Sequence, residues 1–452
     1  MKTLKIYIFL LGVLGFGACK NQENYQVGAD IRDSVYIYAK DLYLWNESLP
    51  DIFEFKPKNY SSPQSVIASV RTYSPIQNGY YVDRFSFVSK LLDWENTSSG
   101  NSVDYGCGYS FYSPNDLRIS YVYENSAAGQ QGVQRGWQLL KVNNIIPDTT
   151  QTTINQLNEA LFYSNSVEIL FRKNDNTEQS LTLTPQNYTA NFLLHKEVIN
   201  YNNRKIAYLV LNGFLGANDG KDTQTALEQA FSYFTSQGAE ELVIDLRYNS
   251  GGYIYLAERL ANLIAPANAK GQVMFSERWN NLYSQYNSTT YFSNEASTLS
   301  LSRVFFITTN STASASELLI NSLSPYLNVQ IIGEVTAGKP VGFPVLPIIM
   351  NSQNNNDNYV VAPVAFQSFN ANNFGDYFQG LSVQKEQIDD VTKNFGDTQE
   401  ACLQDALYFI SNGVFQRNIN QRSKAVQNLN RQFFKHNFGS IKLMKNTIFR
   451  KN

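Results

Sequence analysis

From about residue 190 to 413, short apolar strands alternate with helical stripes, and this alternation constrains the fold more than any other feature of the chain. Ile206 to Leu211 reads as a strand. Leu227, Ala230, Phe231 and Phe234 then fall on one helical face that stops at Gly238, a residue suited to the position that closes a helix. Leu242 to Ile244 is a second strand, Leu256, Leu260, Leu263 and Ile264 a second stripe, and Val304 to Ile307 a third strand. A helix over about 313–323, a strand Val329 to Ile332, a β-rich stretch over 344–366 and a closing helix over 398–411 complete the series. Repeated alternation of this kind predicts an α/β domain over 190–413.

The flanking segments follow other periods. Ile31, Val35, Tyr38, Leu42 and Trp45 recur at alternating steps of four and three, which predicts an amphipathic helix over 30–46. A second helical stretch around Val66, Ile67 and Val70 lies within 63–93 and leads into the aromatic segment Phe85 to Val88, so 24–98 reads as a small helical N-terminal domain. Between 104 and 185 the pattern is of short strands and one short helix. Val167, Ile169 and Phe171 alternate, Asn174 to Thr177 supply a turn, and Leu181 and Leu183 alternate on the return, a hairpin by period and by turn chemistry. A chain of 452 residues has room for about three such units, and the fold class is multidomain α+β.

Charge and composition exclude several chemistries. The net charge is −2, but residues 414–452 hold nine of the 36 basic residues and none of the 38 acidic ones, so the preceding body carries −11. The body is acidic and the tail, 414–452, is basic. A main-body nucleic-acid site needs a concentrated basic face and is disfavoured. Cys19, Cys107, Cys402, His195 and His436 are scattered, without the spacing of a zinc site, so no metal is expected. Cys107 and Cys402 either pair or stand as two buried thiols.

At the N-terminus, Lys2 and Lys5 precede an apolar run from Ile6 to Phe16, followed by Gly17, Ala18 and Cys19. The run is short for a bilayer span, and a charged start, short apolar core and small residues describe a signal peptide over 1–19. The Cys after two small residues resembles a bacterial lipobox, with Phe16 where Leu is usual. That resemblance implies lipidation of Cys19 and a membrane anchor in the cell envelope; the alternative is ordinary cleavage and secretion.

The segment 104–185 contains Tyr105-Gly106-Cys107-Gly108-Tyr109-Ser110-Phe111, then Ser126-Ala127-Ala128-Gly129, Gly132-Val133 and Gly136-Trp137-Gln138-Leu139-Leu140-Lys141-Val142-Asn143. It resembles a PDZ domain. The resemblance implies that a peptide C-terminus is held by loop N–H groups around Gly106 and Gly108 while the peptide adds a strand. Tyr109 and Phe111 are expected to offer a side-chain pocket, one of the two facing the module's own core.

The segment that carries chemistry is Asn310-Ser311-Thr312-Ala313-Ser314-Ala315-Ser316-Glu317-Leu318, followed by Gly333-Glu334-Val335-Thr336-Ala337-Gly338-Lys339. Small hydroxyl residues between a buried strand and a helix either cap the helix or present a nucleophile where free N–H groups favour an oxyanion. Ser314 and Glu317 are three apart and share a helical face, whereas Ser316 lies ~200° round. With Asp245-Leu246-Arg247-Tyr248-Asn249-Ser250-Gly251-Gly252, these motifs resemble the tail-specific, C-terminal processing proteases, the S41-type serine peptidases, over roughly 30–411. The resemblance implies a ClpP/crotonase-like α/β catalytic core with Ser314 as nucleophile, Lys339 as base and Glu317 in support. No cofactor is implied, and the expected partners are polypeptide substrates.

A lysine amine, with an ordinary pKa near ~10.4, must lose solvent to act as a base. Neither His195 nor His436 sits in a triad context. For the oxyanion hole, the Ala315 N–H is paired with that of Gly251 or Gly252, and Asp245 and Arg247 read as a structural pair. The Ser314 hydroxyl and Lys339 amine are expected to approach hydrogen-bonding reach. The rivals to a serine endopeptidase are a non-catalytic peptide-binding lipoprotein and a hydrolase of small esters or glycans.

Overall fold

The computed structural model describes residues 30–293, 299–350 and 355–416, together with the backbone of 448–449. Cys19, His436 and nearly all of the basic tail lie outside the described residues.

Six strands form the central sheet in sequential order: β1 (Leu193–Tyr201), β2 (Arg204–Leu211), β3 (Glu241–Asp245), β4 (Arg303–Thr308), β5 (Asn328–Gly333) and β6 (Lys385–Glu386). β1 is antiparallel to β2, and every other pairing is parallel. Parallel neighbours need crossovers, which α1 (Lys221–Ser236), α2 (Ile254–Ile264) and α3 (Ala315–Leu323) supply for the first three parallel pairs, the long segment 334–384 linking β5 to β6. The two faces of the sheet feed different cores, as side chains alternate along each strand. Ala207, Leu209, Ile244 and Phe306 pack towards α1, α2 and α3. Tyr208, Val243, Phe305 and Ile307 pack on α4 (Ala401–Asn412), through Leu403, Ala406 and Leu407.

The periodic readings fall on real elements, with shifted ends. The closing helix runs Ala401–Asn412 and stops at Gly413, whose φ of 75° is left-handed. β1 escaped the reading because its turn, Asn202-Asn203, puts both residues at positive φ (49° and 59°), a tight hairpin formed without glycine. The second N-terminal helix spans only Pro63–Arg71. Beyond it Asn78-Gly79, both at positive φ, turns a short hairpin of Ile76–Gln77 with Tyr80–Tyr81.

The N-terminal segment shares its core with the peptide that follows Lys339. Val35, Tyr36, Val66 and Phe87 pack with Val341, Phe343, Val361 and Phe378, and the strand Phe87–Lys90 pairs with Tyr359–Ala362. The segment from 105 to 183 has a core of its own, under a five-stranded antiparallel sheet in which Cys107–Ser113 is an edge.

Candidate active site

The carboxyl ends of three adjacent parallel strands lie along one edge of the sheet, the edge at which open α/β sheets place their ligand sites. β3 leads to the loop ending at Gly251-Gly252, β4 to Ser314, and β5 to Lys339. His195 lies on β1, with β2 and β3 between it and β4, and its Nε2 is 3.1 Å from Glu197.

Ser314 precedes the first residue of α3 in a strained backbone conformation, φ 64° and ψ −118°. For a non-glycine residue this costs of order 1–3 kcal/mol and is held only by its surroundings. Its hydroxyl is fully buried and takes no hydrogen bond among the described residues, although Ser314 and Glu317 are arranged as a capping box at the start of α3. The hydroxyl of Ser316, in contrast, is spent on the Asn249 carbonyl at 3.1 Å.

Glu317 gathers the site through the backbone. Its Oε2 accepts from the N–H groups of Ser314 and Lys339, each at 2.8 Å, so these two nitrogens are no further apart than twice that length. Its Oε1 accepts from the Gly338 N–H at 2.7 Å and from the Thr336 hydroxyl. Burial raises the Glu317 carboxyl above its ordinary value, against the pull of those hydrogen bonds. The carboxylate thus clamps the start of α3 to the turn that carries the lysine, a role that spacing on one helical face did not foretell.

The Lys339 amine is fully buried and, like the Ser314 hydroxyl, takes no hydrogen bond among the described residues; the two are not bonded to one another. Its Nζ stands 4.5 Å from the Phe343 ring centre and 5.1 Å from that of Phe85. Burial lowers the amine well below the ordinary lysine value; Glu317 and Asp83 pull it upward, and Arg71 pushes it further down.

The structure separates the two glycines. The Gly251 N–H is taken by Asn249 Oδ1 at 2.9 Å, while a Cβ on Gly251 would stand 2.7 Å from that of Ser314, so this position serves close approach. Gly251 O and Tyr253 N both face Phe214, so the N–H of Gly252 points the other way, to the side on which Gly252–Tyr253 pairs in parallel with Ile448–Phe449. Ala315, as the first helical residue, has no acceptor for its N–H within the helix. Asn249 organises this loop: its amide donates to Leu211 O at 3.0 Å, and its carbonyl also receives the Ala313 N–H at 3.1 Å. Sequence reading quoted Asn249 within a motif without giving it a role.

Asp245 and Arg247 do pair, at 2.7 Å. They belong to a larger buried cluster in which Arg247 also meets Glu400 and Asp389, and Arg135 of the 104–185 module reaches Asp389 at 2.7 Å.

In that module, Tyr109 and Phe111 are both buried in its own core, Tyr109 edge-on to Phe162. Two residues apart on one strand, they share a face, so neither lines a peptide pocket. The Gly106 N–H is occupied by Asp104 Oδ1 at 2.7 Å. Gly108 has no room for a side chain against Ser120 and Tyr121. Cys107 and Cys402 do not form a disulfide: Cys107 packs against the core of the 104–185 module and Cys402 is buried under the central sheet.

No curated relative matches the chain. Among solved structures it is similar to a Bacteroides fragilis chain assigned to the S41 proteases (24% identity, 87% of this chain and 100% of that one, TM-score 0.69). It is also similar, more distantly, to the photosystem II D1 C-terminal processing protease (18%, 79% and 92%, 0.47) and to mature CPAF (11%, 85% and 98%, 0.49). The first of these shows a shared fold. Residues 205–362, from β2 through the Asn249 loop, Ser314 and Lys339 to the strand Tyr359–Ala362, match the model of peptidase family S41.

Proposed function

We propose that the chain is a serine endopeptidase in which Ser314 is the nucleophile and neutral Lys339 the general base. The observation that carries this reading is the pair of buried groups, hydroxyl and amine, that take no hydrogen bond among the described residues and whose backbones share one oxygen of Glu317. Burying polar groups without partners costs free energy, and a reaction centre is a reason to keep them.

As Ser314 Oγ bonds to the substrate carbonyl carbon, its proton passes to Lys339 Nζ, once rotation about the lysine side chain closes the gap. The carbonyl oxygen becomes an oxyanion facing the Ala315 N–H and, once the strand Ile448–Phe449 has left Gly252, the Gly252 N–H. Collapse breaks the C–N bond, the amine product leaves with the proton from Lys339, and an acyl-enzyme remains. Water then attacks, gives a proton to Lys339, and the ester breaks to release the acid and restore the Ser314 hydroxyl.

In this reading an extended substrate adds to Cys107–Ser113, one of the two edge strands of the 104–185 module. Lipidation at Cys19 would anchor the enzyme in a bacterial cell envelope. The test is incubation of the protein and its Ser314→Ala variant with an unfolded polypeptide. Fragments from the first and none from the second are expected. No fragments from either, with hydrolysis of a small ester by the first, would replace the peptidase reading by that of an esterase.

A further inference from the structure

The lysine pocket has one wall that belongs to neither the sheet nor the loops after it. Phe85, from the N-terminal segment, lies with its ring centre 5.1 Å from Lys339 Nζ and is 7% exposed. The residues around it are fixed more firmly than core packing alone requires. Asp83 Oδ1 accepts from the N–H groups of Phe85 and Ser86, both at 2.9 Å, and its Oδ2 from the Ser86 and Tyr43 hydroxyls at 2.6 and 2.8 Å. The Arg71 guanidinium donates to Ser86 O. Arg84, exposed on the same turn, reaches across to the lysine's own backbone and donates to the carbonyls of Ala337, Gly338 and Phe378 at 3.2, 3.4 and 3.1 Å. Residues 83–86 are therefore bound on one side to the N-terminal helices and on the other to the turn that carries Lys339.

We propose that Phe85 is a positioning residue for Lys339, and that the N-terminal segment completes the reaction centre by seating this ring on the amine and fixing the lysine turn through Arg84. The inference rests on the peptidase reading for its consequence in catalysis, though not for the contact itself. Two effects of the ring oppose one another. An aromatic face favours a cation, whereas exclusion of water favours the neutral amine, by up to ~3–5 pKa units for a fully buried group. Exclusion is the larger, so removing the ring moves the amine back towards the ordinary lysine range. The charged groups facing the amine are Glu317 from α3 and Asp83 and Arg71 from the N-terminal segment, with Arg84 at the rim; all keep their charge in the Phe85 variants, and Arg84, whose guanidinium lies 5.3 Å from the Phe85 ring centre, loses that contact when the ring is removed.

The test uses the full chain with Phe85→Leu, which keeps an apolar wall, and Phe85→Ala, which opens it. In a Ser314→Ala background with ε-¹³C-labelled lysine, the Lys339 signal, identified by its loss in Lys339→Arg, is followed through a pH titration. Phe85→Ala is expected to raise the midpoint by ~1 unit or more and Phe85→Leu by less than ~0.5. With Ser314 intact, the acid limb of kcat/KM should move with it, and activity lost at neutral pH should return at higher pH. A folded Phe85→Ala protein whose lysine midpoint does not move overturns the proposal. A midpoint that moves in a protein with no peptidase activity keeps the role of Phe85 and removes the peptidase reading instead. Should Phe85→Ala not fold, the surface change Arg84→Gln carries the test, with a rise of ~0.5 unit expected and no rise counting against it.

Discussion

At Lys339 the chain places an amine between two phenyl rings, without a hydrogen-bond partner among the described residues, and protonation there works against burial. On the proposed reading, in which the neutral amine is the base, activity should rise with pH through the lowered lysine pKa and then level off. Lys339→Ala is expected to abolish turnover in a folded protein, whereas His195→Gln, three strands from Ser314, should keep most of it; a pH–rate series on the three proteins checks this. Stability has its own sign. The folded pKa lies below the unfolded value of ~10.4, so between the two the unfolded chain binds the extra proton and wild-type stability rises with pH. Lys339→Met should therefore be inactive yet more stable at pH 7, by on the order of 1 kcal/mol or more. That gain should shrink as the pH approaches 10, a trend readable from urea unfolding at several pH values. The identities of Ser314, Glu317 and Lys339 were legible because a linear motif carries them. The grip of Glu317 on three backbone N–H groups was not, since it depends on how two loops meet.

The loop between β3 and α2 shows what an element contributes beyond its residues. Gly251 and Gly252 have φ of 107° and 142°, and a Cβ on Gly252 would fall 2.1 Å from the Phe214 carbonyl. Gly252→Ala should therefore displace the loop and cost stability of about 1–3 kcal/mol. Gly251→Ala meets the Ser314 side chain instead, and is expected to lower kcat by at least ~10²-fold, the scale for loss of a well-placed reacting group, with a smaller effect on unfolding. Kinetics and urea midpoints measured on both variants distinguish the two effects. Helices and central strands were legible from periodicity, because both faces of the sheet are covered and their apolar residues cluster. Turn chemistry hid the rest. Asn202-Asn203 makes a hairpin that a search for glycine overlooks, and parity along Cys107–Ser113 puts Tyr109 and Phe111 on the same buried face.

At the scale of the whole molecule, one buried charge cluster joins the 104–185 module to the loop that follows β3. Arg135 donates to Ser120 O within its module and, across the seam, to the Tyr248 hydroxyl, Asp389 and Lys393 O. Tyr248 and Arg247 lie on the loop that leads to Gly251, and both meet Asp389. Burial alone would raise the Asp389 carboxyl, but the charges of Arg135 and Arg247 outweigh it and hold the group well below the carboxylate range. Its contribution is thus present above the unfolded value of ~3.9 and is lost as pH falls through the lower folded value. Arg135→Ala removes one of the two cations and leaves the other. The loss should fall at or below the ~3–5 kcal/mol typical of breaking a buried pair, because Arg247 still faces Asp389 at 2.7 Å. As Arg135 touches the module on one side and the Tyr248 loop on the other, the same change should loosen the loop, lowering kcat more than it raises KM. Hydrogen exchange should then quicken at 246–252 as well as at the seam. A stability loss confined to the module, with kcat and loop exchange at wild-type values, would show that the cluster fastens the two units without reaching the reaction centre.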